Sequence, residues 1–167
     1  MIVFFGKSGS NAVNLVDLKF PIKAGFTNHK DSTAIEVFKE NNIPVYVVSS
    51  NKEILEILNE IDHKLIVLMG YLRILPKEIV DNFKIINLHP SYLPEHKGLK
   101  AFERSIESNS GQGLTLHWVN EDLDSGTILF QVKLDYTNLP IKAAECLLKF
   151  KEYTLIPNKI KSIYKFL

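Results

Sequence analysis

The run Leu65-Ile66-Val67-Leu68-Met69, which ends at Gly70, decides the fold predicted from this sequence. Every position in it is apolar, which is typical of a central strand in a parallel sheet, where both faces of the strand are covered. A helical stretch begins near Pro76, and a second strand follows it at Ile85-Ile86-Asn87-Leu88-His89. This order of strand, helix and strand predicts a right-handed crossover between two parallel strands.

The same alternation extends through the rest of the chain. Further strands are predicted at residues 2–5, 23–26 and 44–48, and helices at 12–16, after a cap at Ser32, and after a cap at Ser50 or Asn51. Residues 114–119 and 127–134 form two successive strands without a helix between them, which predicts an antiparallel pair. Helical sequence begins near Ile141, and Pro157 is a possible point of interruption. We therefore predict an α/β fold, a doubly wound, Rossmann-like and mostly parallel sheet with an antiparallel C-terminal strand pair.

The composition limits the class of protein. A length of 167 residues predicts one domain, 1–167, and 20 basic against 19 acidic residues argue against a strongly basic nucleic-acid-binding protein. No apolar run is long enough to cross a membrane, and the N-terminal run is too short for a signal peptide. We therefore expect a cytoplasmic protein with neither a nucleic-acid nor a membrane partner, and the oligomeric state stays open.

The first candidate site is the loop Gly6-Lys7-Ser8-Gly9-Ser10-Asn11, which follows the first predicted strand. Its glycines and small polar residues are suited to presenting backbone N–H groups to a phosphate at a helix N-terminus. It is not a nucleoside-triphosphate P-loop, because the glycine which that pattern requires five residues before Gly6 is replaced by Met1. A simple turn between strand and helix explains the loop equally well.

The second candidate is Asn87-Leu88-His89-Pro90-Ser91-Tyr92-Leu93-Pro94, at the carboxyl end of a predicted strand. Asn87 and His89 are two residues apart and point to the same side of that strand. An amide N–H can stabilise an oxyanion, and an imidazole can transfer a proton near neutral pH. A single histidine at a strand end is more often structural, but the neighbouring amide and the stiff proline-containing loop favour a chemical role.

The third candidate is the turn Glu121-Asp122-Leu123-Asp124-Ser125-Gly126. Glu121 and Asp122 are typical of a solvated turn, whereas Asp124 gains importance if the turn folds over His89 and orients its ring. His117 lies on the preceding strand, and the sequence leaves open whether it faces solvent or the cleft.

Metal and covalent chemistry have less support. The spacings HxxxH, HxH and CxxC, which are typical of zinc sites, do not occur, so no metal is predicted. Cys146 is the only cysteine and lies in an apolar helical segment, and Ser91 lacks the GxSxG pattern of a nucleophilic serine.

Together, four segments resemble the folate-dependent formyltransferases, in the order in which that family has them, over nearly the whole chain. The segments are Gly9-Ser10-Asn11, Gly70-Tyr71-Leu72-Arg73-Ile74-Leu75, Asn87 to Pro94, and Leu123-Asp124-Ser125-Gly126. The most specific part of the resemblance is the second candidate site combined, at this distance, with Leu-Asp-x-Gly.

The resemblance implies that Asn87, His89 and Asp124 are the catalytic residues of an N-formyltransferase. The formyl donor it implies is 10-formyltetrahydrofolate, a cosubstrate, and the acceptor is a phosphorylated amine, the amine of glycinamide ribonucleotide in purine biosynthesis. Asn87 and protonated His89 stabilise the oxyanion of a tetrahedral intermediate in this scheme, and Asp124 holds His89 and a water molecule that carries the proton.

The resemblance also implies binding roles. Leu72, Arg73, Ile74 and Leu75 correspond to the folate-binding wall, to which Asn87 and Asp124 also contribute, and the turn 120–125 closes over the pterin. Gly9, Ser10 and Asn11 correspond to the loop that holds the acceptor phosphate, and Glu152 corresponds to a glutamate that contacts the acceptor.

Two positions depart from the family pattern. Lys7 or Ser8 stands where a further glycine is usual. The segment Ser49-Ser50-Asn51-Lys52 lacks the arginine that reaches the ribotide in the family, and Lys52 can supply the charge of that arginine but not its planar, two-pronged hydrogen bonding. These departures keep two alternatives open: an N-formyltransferase that acts on an amino sugar nucleotide, and a non-catalytic folate- or nucleotide-binding domain of the same fold. Formylation of methionyl-tRNA is disfavoured by the length and charge of the chain.

Overall fold

The computed structural model describes all 167 residues, and the chain divides into two compact units, Met1–Ile86 with Leu167, and Asn87–Phe166. The strands are β1 (Ile2–Phe5), β2 (Ala24–Thr27), β3 (Val45–Val47), β4 (Ile66–Met69), β5 (Ile85–His89), β6 (Gly113–Trp118) and β7 (Ile128–Lys133). The helices are α1 (Ser10–Asp17), α2 (Ala34–Glu40), α3 (Asn51–Glu60), α4 (Lys77–Asn82), α5 (Ala101–Glu107) and α6 (Ile141–Lys165). None of the helices combines the length and the apolar character that crossing a membrane requires.

The first unit is built on parallel strands. β1 pairs with β2 on one side and with β4 on the other, and β2 also pairs with β3. Every residue of β1, β2 and β4 is buried, as expected for strands covered on both faces. Aromatic contacts fill this core, with the rings of Phe4 and Phe26 stacked at a centroid distance of 4.7 Å.

The second unit contains the antiparallel pair. β6 and β7 run in opposite directions, with Gly113 opposite Lys133, and the register shifts between Leu116 and His117. β6 is buried on both faces, since both the apolar Leu114 and Leu116 and the polar Thr115 and His117 are excluded from solvent.

The strand order is β3-β2-β1-β4-β5-β6-β7. The direction of the connections reverses between β1 and β4, which is the switch point of a doubly wound α/β sheet. The predicted fold class, a mostly parallel α/β sheet with an antiparallel C-terminal pair, is confirmed. The assignment of residues 1–167 to one domain stays a prediction.

Two local predictions are wrong. Ser32 does not cap α2: the helix begins after Thr33, and the Ser32 hydroxyl instead donates to the Gly6 carbonyl oxygen at 3.0 Å. Pro157 does not interrupt the last helix, because α6 continues through it to Lys165. Pro157 is buried together with Ile156 and Ile160, so apolar packing offsets the backbone hydrogen bond that a proline removes.

Gly6 lies close against the backbone of Gly70. A Cβ atom added to Gly6 would lie 2.2 Å from the Gly70 carbonyl oxygen, whereas a Cβ atom on Gly70 would meet open space. Gly70 has a φ of +73°, so the only cost of a side chain there is the strain of a left-handed backbone conformation.

We predict that Gly6→Ala lowers the free energy of unfolding by about 3 kcal/mol, because the two segments must separate. Gly70→Ala, the matched control, should cost about 1 kcal/mol, the ordinary price of a left-handed alanine. Urea unfolding of the two variants and the wild type measures both values. Equal losses in the two variants would contradict the steric explanation.

Candidate active site

Three segments of the second unit meet at a cluster of polar side chains. β5 supplies Asn87 and His89, β6 supplies His117, and the turn after β6 supplies Asp124. Asn87 and His89 alternate with Leu88 and therefore share one face of β5. The Asn87 Nδ2 atom lies 3.3 Å from Oδ1 of Asp124, and the His89 Nδ1 atom lies 3.4 Å from its Oδ2. The structure thus brings the three predicted catalytic residues together.

Asp124 is held in place by backbone as well as by side chains. Its φ of +47° lies in the left-handed region, which residues other than glycine rarely adopt and which is common at functional sites. The backbone N–H of Gly98 donates to Oδ2 at 2.7 Å. The strained turn and this hydrogen bond together aim the carboxylate at the face of β5 that carries Asn87 and His89.

The contacts of His89 identify which ring nitrogen can titrate. Its Nε2 atom lies 3.0 Å from the carbonyl oxygen of His96. A carbonyl oxygen can only accept, so Nε2 carries a hydrogen in both ionisation states. Nδ1, which faces Asp124, is therefore the nitrogen that gains and loses a proton.

His117, whose direction the sequence left open, faces the same cluster and is buried. Its Nδ1 atom lies 2.8 Å from the Trp118 carbonyl oxygen, so Nδ1 carries the hydrogen and Nε2 is free to accept in the neutral ring. Nε2 lies 3.2 Å from Asn87 Nδ2 and 3.5 Å from Asp124 Oδ1. His117 is thus a fourth member of the site.

These contacts orient the Asn87 amide. Its NH₂ group faces two acceptors, His117 Nε2 and Asp124 Oδ1, and the flipped amide would place an oxygen against a carboxylate. Asn87 therefore presents N–H groups, and not its carbonyl, toward the cluster, as oxyanion stabilisation requires.

The surroundings shift the pKa of Asp124 and His89. Burial alone would raise the pKa of Asp124, but the neighbouring rings of His117 and His89 and the Gly98 N–H outweigh it and lower that pKa to about 2. Burial lowers the pKa of His89, opposed by the Asp124 charge and the His96 carbonyl. Asp124 therefore stays ionised near neutral pH. Protonation of His89 is disfavoured by burial and becomes favourable only when further negative charge develops nearby.

This arrangement can stabilise an oxyanion and move a proton. It combines an amide donor, an imidazole with one titrating nitrogen and an ionised carboxylate, and the side chains of His89, His117 and Asp124 are at most 8% exposed. The structure contains no group of His, Cys, Asp and Glu side chains that is arranged to hold a metal ion.

The folate-wall residues predicted from the resemblance lie in the first unit, between β4 and α4. Leu72 and Ile74 are exposed, at 67% and 74%, whereas Leu75 is buried. Nη1 of Arg73 donates to the carbonyl oxygen of Ser49 at 2.9 Å, which ties this segment to the end of β3.

The predicted acceptor residues lie at two places. In the first unit, Gly9 has a φ of +55° and precedes α1, so Ser10 and Asn11 form the first turn of that helix. In the second unit, Glu152 is buried in α6, where Lys149 Nζ donates to its Oε2 at 2.6 Å.

Comparison with known proteins identifies the family. The family model described as "Formyl transferase" matches residues 5–147, which is most of the chain. The chain belongs to the formyl transferase family.

Individual relatives agree with this assignment. A phosphoribosylglycinamide formyltransferase of Haemophilus influenzae is 32% identical, and the match covers 95% of this chain and 84% of that protein. The structure of a Campylobacter jejuni phosphoribosylglycinamide formyltransferase is 29% identical with a TM-score of 0.89, covering 98% of both chains. A Geobacillus kaustophilus glycinamide ribonucleotide transformylase has a TM-score of 0.90 at 26% identity, covering 98% of this chain and 97% of that one.

The depressed pKa of Asp124 predicts a loss of stability in acid. A carboxyl whose pKa is about 2 in the folded chain and 3.8 in the unfolded chain stabilises the fold above pH 4, and this contribution is lost as the pH falls toward 2. We predict that the stability advantage of the wild type over Asp124→Asn shrinks by about 2 kcal/mol between pH 5 and pH 2. Urea unfolding at several pH values measures this difference. A constant difference would show that the site does not hold Asp124 in its charged form.

Proposed function

We propose that this protein is an N-formyltransferase that moves the formyl group of 10-formyltetrahydrofolate to the amine of glycinamide ribonucleotide, in the cytoplasm. The observation that carries the proposal is the half-buried contact of Asn87, His89 and Asp124 in a chain of the formyl transferase family. The named relatives with this reaction cover most of the chain, which supports the choice of acceptor.

In the first step the acceptor amine attacks the formyl carbon, and the carbonyl oxygen becomes an oxyanion. Asn87 Nδ2–H and protonated His89 Nδ1–H donate to this oxyanion. Burial makes the imidazolium unfavourable in the free protein, so this interaction strengthens only as negative charge develops. The site thereby stabilises the transition state more than the ground state.

In the second step the intermediate collapses, the bond between carbon and the folate N10 breaks, and N10 takes up a proton. The proton leaves the former amine and travels through a water molecule held by Asp124, as the family resemblance implies. Asp124, whose pKa is about 2, stays ionised throughout and accepts a hydrogen bond from this water instead of taking up the proton. The reaction needs positioning and electrostatics, and neither a covalent enzyme intermediate nor a metal.

The residues proposed to bind the donor are Leu72, Arg73, Ile74 and Leu75, and also Asn87 and Asp124. The exposed side chains of Leu72 and Ile74 offer apolar surface to a flat aromatic ring. The hydrogen bond from Arg73 to Ser49 supports a role for this arginine in holding the wall in place.

The acceptor is proposed to bind with its phosphate at Gly9, Ser10 and Asn11. The left-handed Gly9 lets the chain turn sharply into α1, and the N-terminal end of a helix favours an anion because the helix dipole is positive there. Glu152 is proposed as a further residue that contacts the acceptor, as the family resemblance implies. These partners are small molecules, and the proposal involves neither nucleic acid nor a membrane.

The comparisons favour this acceptor over an amino sugar nucleotide, and they favour an enzyme over a non-catalytic binding domain. A direct assay compares the two acceptors at equal concentrations with 10-formyltetrahydrofolate. We expect formyl transfer to glycinamide ribonucleotide and little to the sugar nucleotide. Absence of transfer to glycinamide ribonucleotide at any enzyme concentration would overturn the proposal.

For the mechanism, we predict that His89→Ala and Asp124→Ala each lower turnover at least ~100-fold, the scale of lost acid–base assistance. The control is Glu103→Ala, an exposed carboxylate of α5 in the same unit, which should keep wild-type turnover. Steady-state kinetics of the folded variants provides the measurement. Near-normal turnover in both site variants would contradict the proposed mechanism.

For the acceptor site, we predict that Ser10→Ala and Asn11→Ala raise KM for glycinamide ribonucleotide several-fold. The KM for the folate donor and kcat should change little, because these residues would bind both the ground state and the transition state. Variation of each substrate in turn separates the two constants. An unchanged acceptor KM in both variants would place the phosphate elsewhere.

A further inference from the structure

The carbonyl oxygen next to His89 Nε2 belongs to His96, and the His96 ring makes hydrogen bonds of its own to a different segment of the chain. His96 has a φ of +57°, so its backbone is in a conformation that needs support. Its ring Nε2 lies 3.0 Å from the Ser110 carbonyl oxygen, 3.1 Å from Ser108 Oγ and 3.5 Å from Ser110 Oγ. The ring is thus fastened to the turn between α5 and β6.

The same turn packs tightly beneath the loop that carries His96. A Cβ atom on Gly111 would lie 2.6 Å from Glu95 Cβ and 2.8 Å from His96 Cδ2. The backbone N–H of Tyr92 donates to the Gly111 carbonyl oxygen at 2.8 Å. The loop therefore has little freedom to shift relative to this turn.

The Ser91 hydroxyl restrains the loop a second time, because it donates to the Glu95 carbonyl oxygen at 2.7 Å. With Glu95 held on one side and the His96 ring on the other, the peptide group of His96 is fixed. Its carbonyl oxygen stays directed at Nε2 of His89, 3.0 Å away.

This anchoring decides the tautomer of His89. With the carbonyl in place, the neutral ring keeps its hydrogen on Nε2 and leaves a lone pair on Nδ1, the nitrogen that faces Asp124. If the carbonyl moves away, the neutral ring can instead place its hydrogen on Nδ1 and donate to Asp124. Nδ1 then has no lone pair with which to take up a proton.

We propose that His96 is a positioning residue, which uses its ring contacts with Ser108 and Ser110 to hold its own carbonyl on Nε2 of His89 and so keeps Nδ1 as the nitrogen that becomes protonated as the oxyanion forms. The role of Nδ1 in catalysis rests on the proposed formyl transfer. The tautomer itself does not, since it is a property of the free protein.

The test uses ¹⁵N-histidine-labelled protein and two variants. His96→Phe keeps an aromatic ring and the same backbone requirement but loses the ring hydrogen bonds. Ser108→Ala/Ser110→Ala removes two of the three oxygens that face the ring and leaves position 96 unchanged. Ser162→Ala, an exposed hydroxyl of α6 that donates to Asn158, is the control.

The ¹⁵N chemical shifts of His89, assigned by their loss in His89→Gln, report the tautomer above its pKa. We expect the Nε2–H tautomer alone in the wild type and in Ser162→Ala, and a substantial Nδ1–H population in both test variants. Pure Nε2–H in both test variants, or Nδ1–H in the wild type, would overturn the proposal. If His96→Phe does not fold, the double serine variant decides.

Kinetics gives a second, independent measurement. We expect kcat to fall about 10-fold in the test variants, with the KM of both substrates within a factor of two, as for the partial loss of acid–base assistance. If the tautomer of His89 changes in the test variants but the wild type transfers no formyl group, the positioning role of His96 stands and only the proposed function is overturned. If the tautomer is unchanged in the test variants and the wild type transfers the formyl group, the positioning role is overturned and the proposed function stands.

Discussion

The carboxylate of Asp124 is the feature on which the site depends. It is a buried anion, and a buried anion is tolerated only when hydrogen bonds and positive or polar partners surround it. Here the Gly98 N–H, the Asn87 amide and the rings of His89 and His117 all face its two oxygens. The Gly98 N–H and the Asn87 amide donate to the carboxylate, and each histidine ring contacts it with the nitrogen that is not held by a backbone carbonyl, so this one charge lies at the centre of the site.

The partners can meet Asp124 because the segment after His89 is fixed to the antiparallel strands. The buried Thr115 hydroxyl donates to the Ser91 carbonyl oxygen at 2.7 Å and accepts from the Leu93 N–H at 3.1 Å. Gln131 on β7 donates to the Leu93 carbonyl oxygen at 2.8 Å. This network sets the path of the loop before any substrate binds, which is the preorganisation that electrostatic catalysis requires.

Much of the fold and part of the site follow from the sequence, because they are expressed in side-chain patterns. Apolar runs locate the strands to within a residue or two, and the spacing of Asn87 and His89 places them on one face. His117 stays ambiguous because β6 is buried on both faces, so alternation of polar and apolar residues carries no information there. The Gly98 N–H and the His96 carbonyl are backbone groups, whose positions depend on the folded loop and not on residue type.

In the proposed reaction the formyl carbon passes directly from folate to an amine held beside Asn87, His89 and Asp124. The most direct measurement follows a ¹³C-labelled formyl group on 10-formyltetrahydrofolate by NMR during turnover with glycinamide ribonucleotide and excess unlabelled formate. Direct transfer predicts that all of the label appears in the formamide of the product, undiluted. Release of the label as free formate, or dilution of the product by the unlabelled pool, would contradict direct transfer.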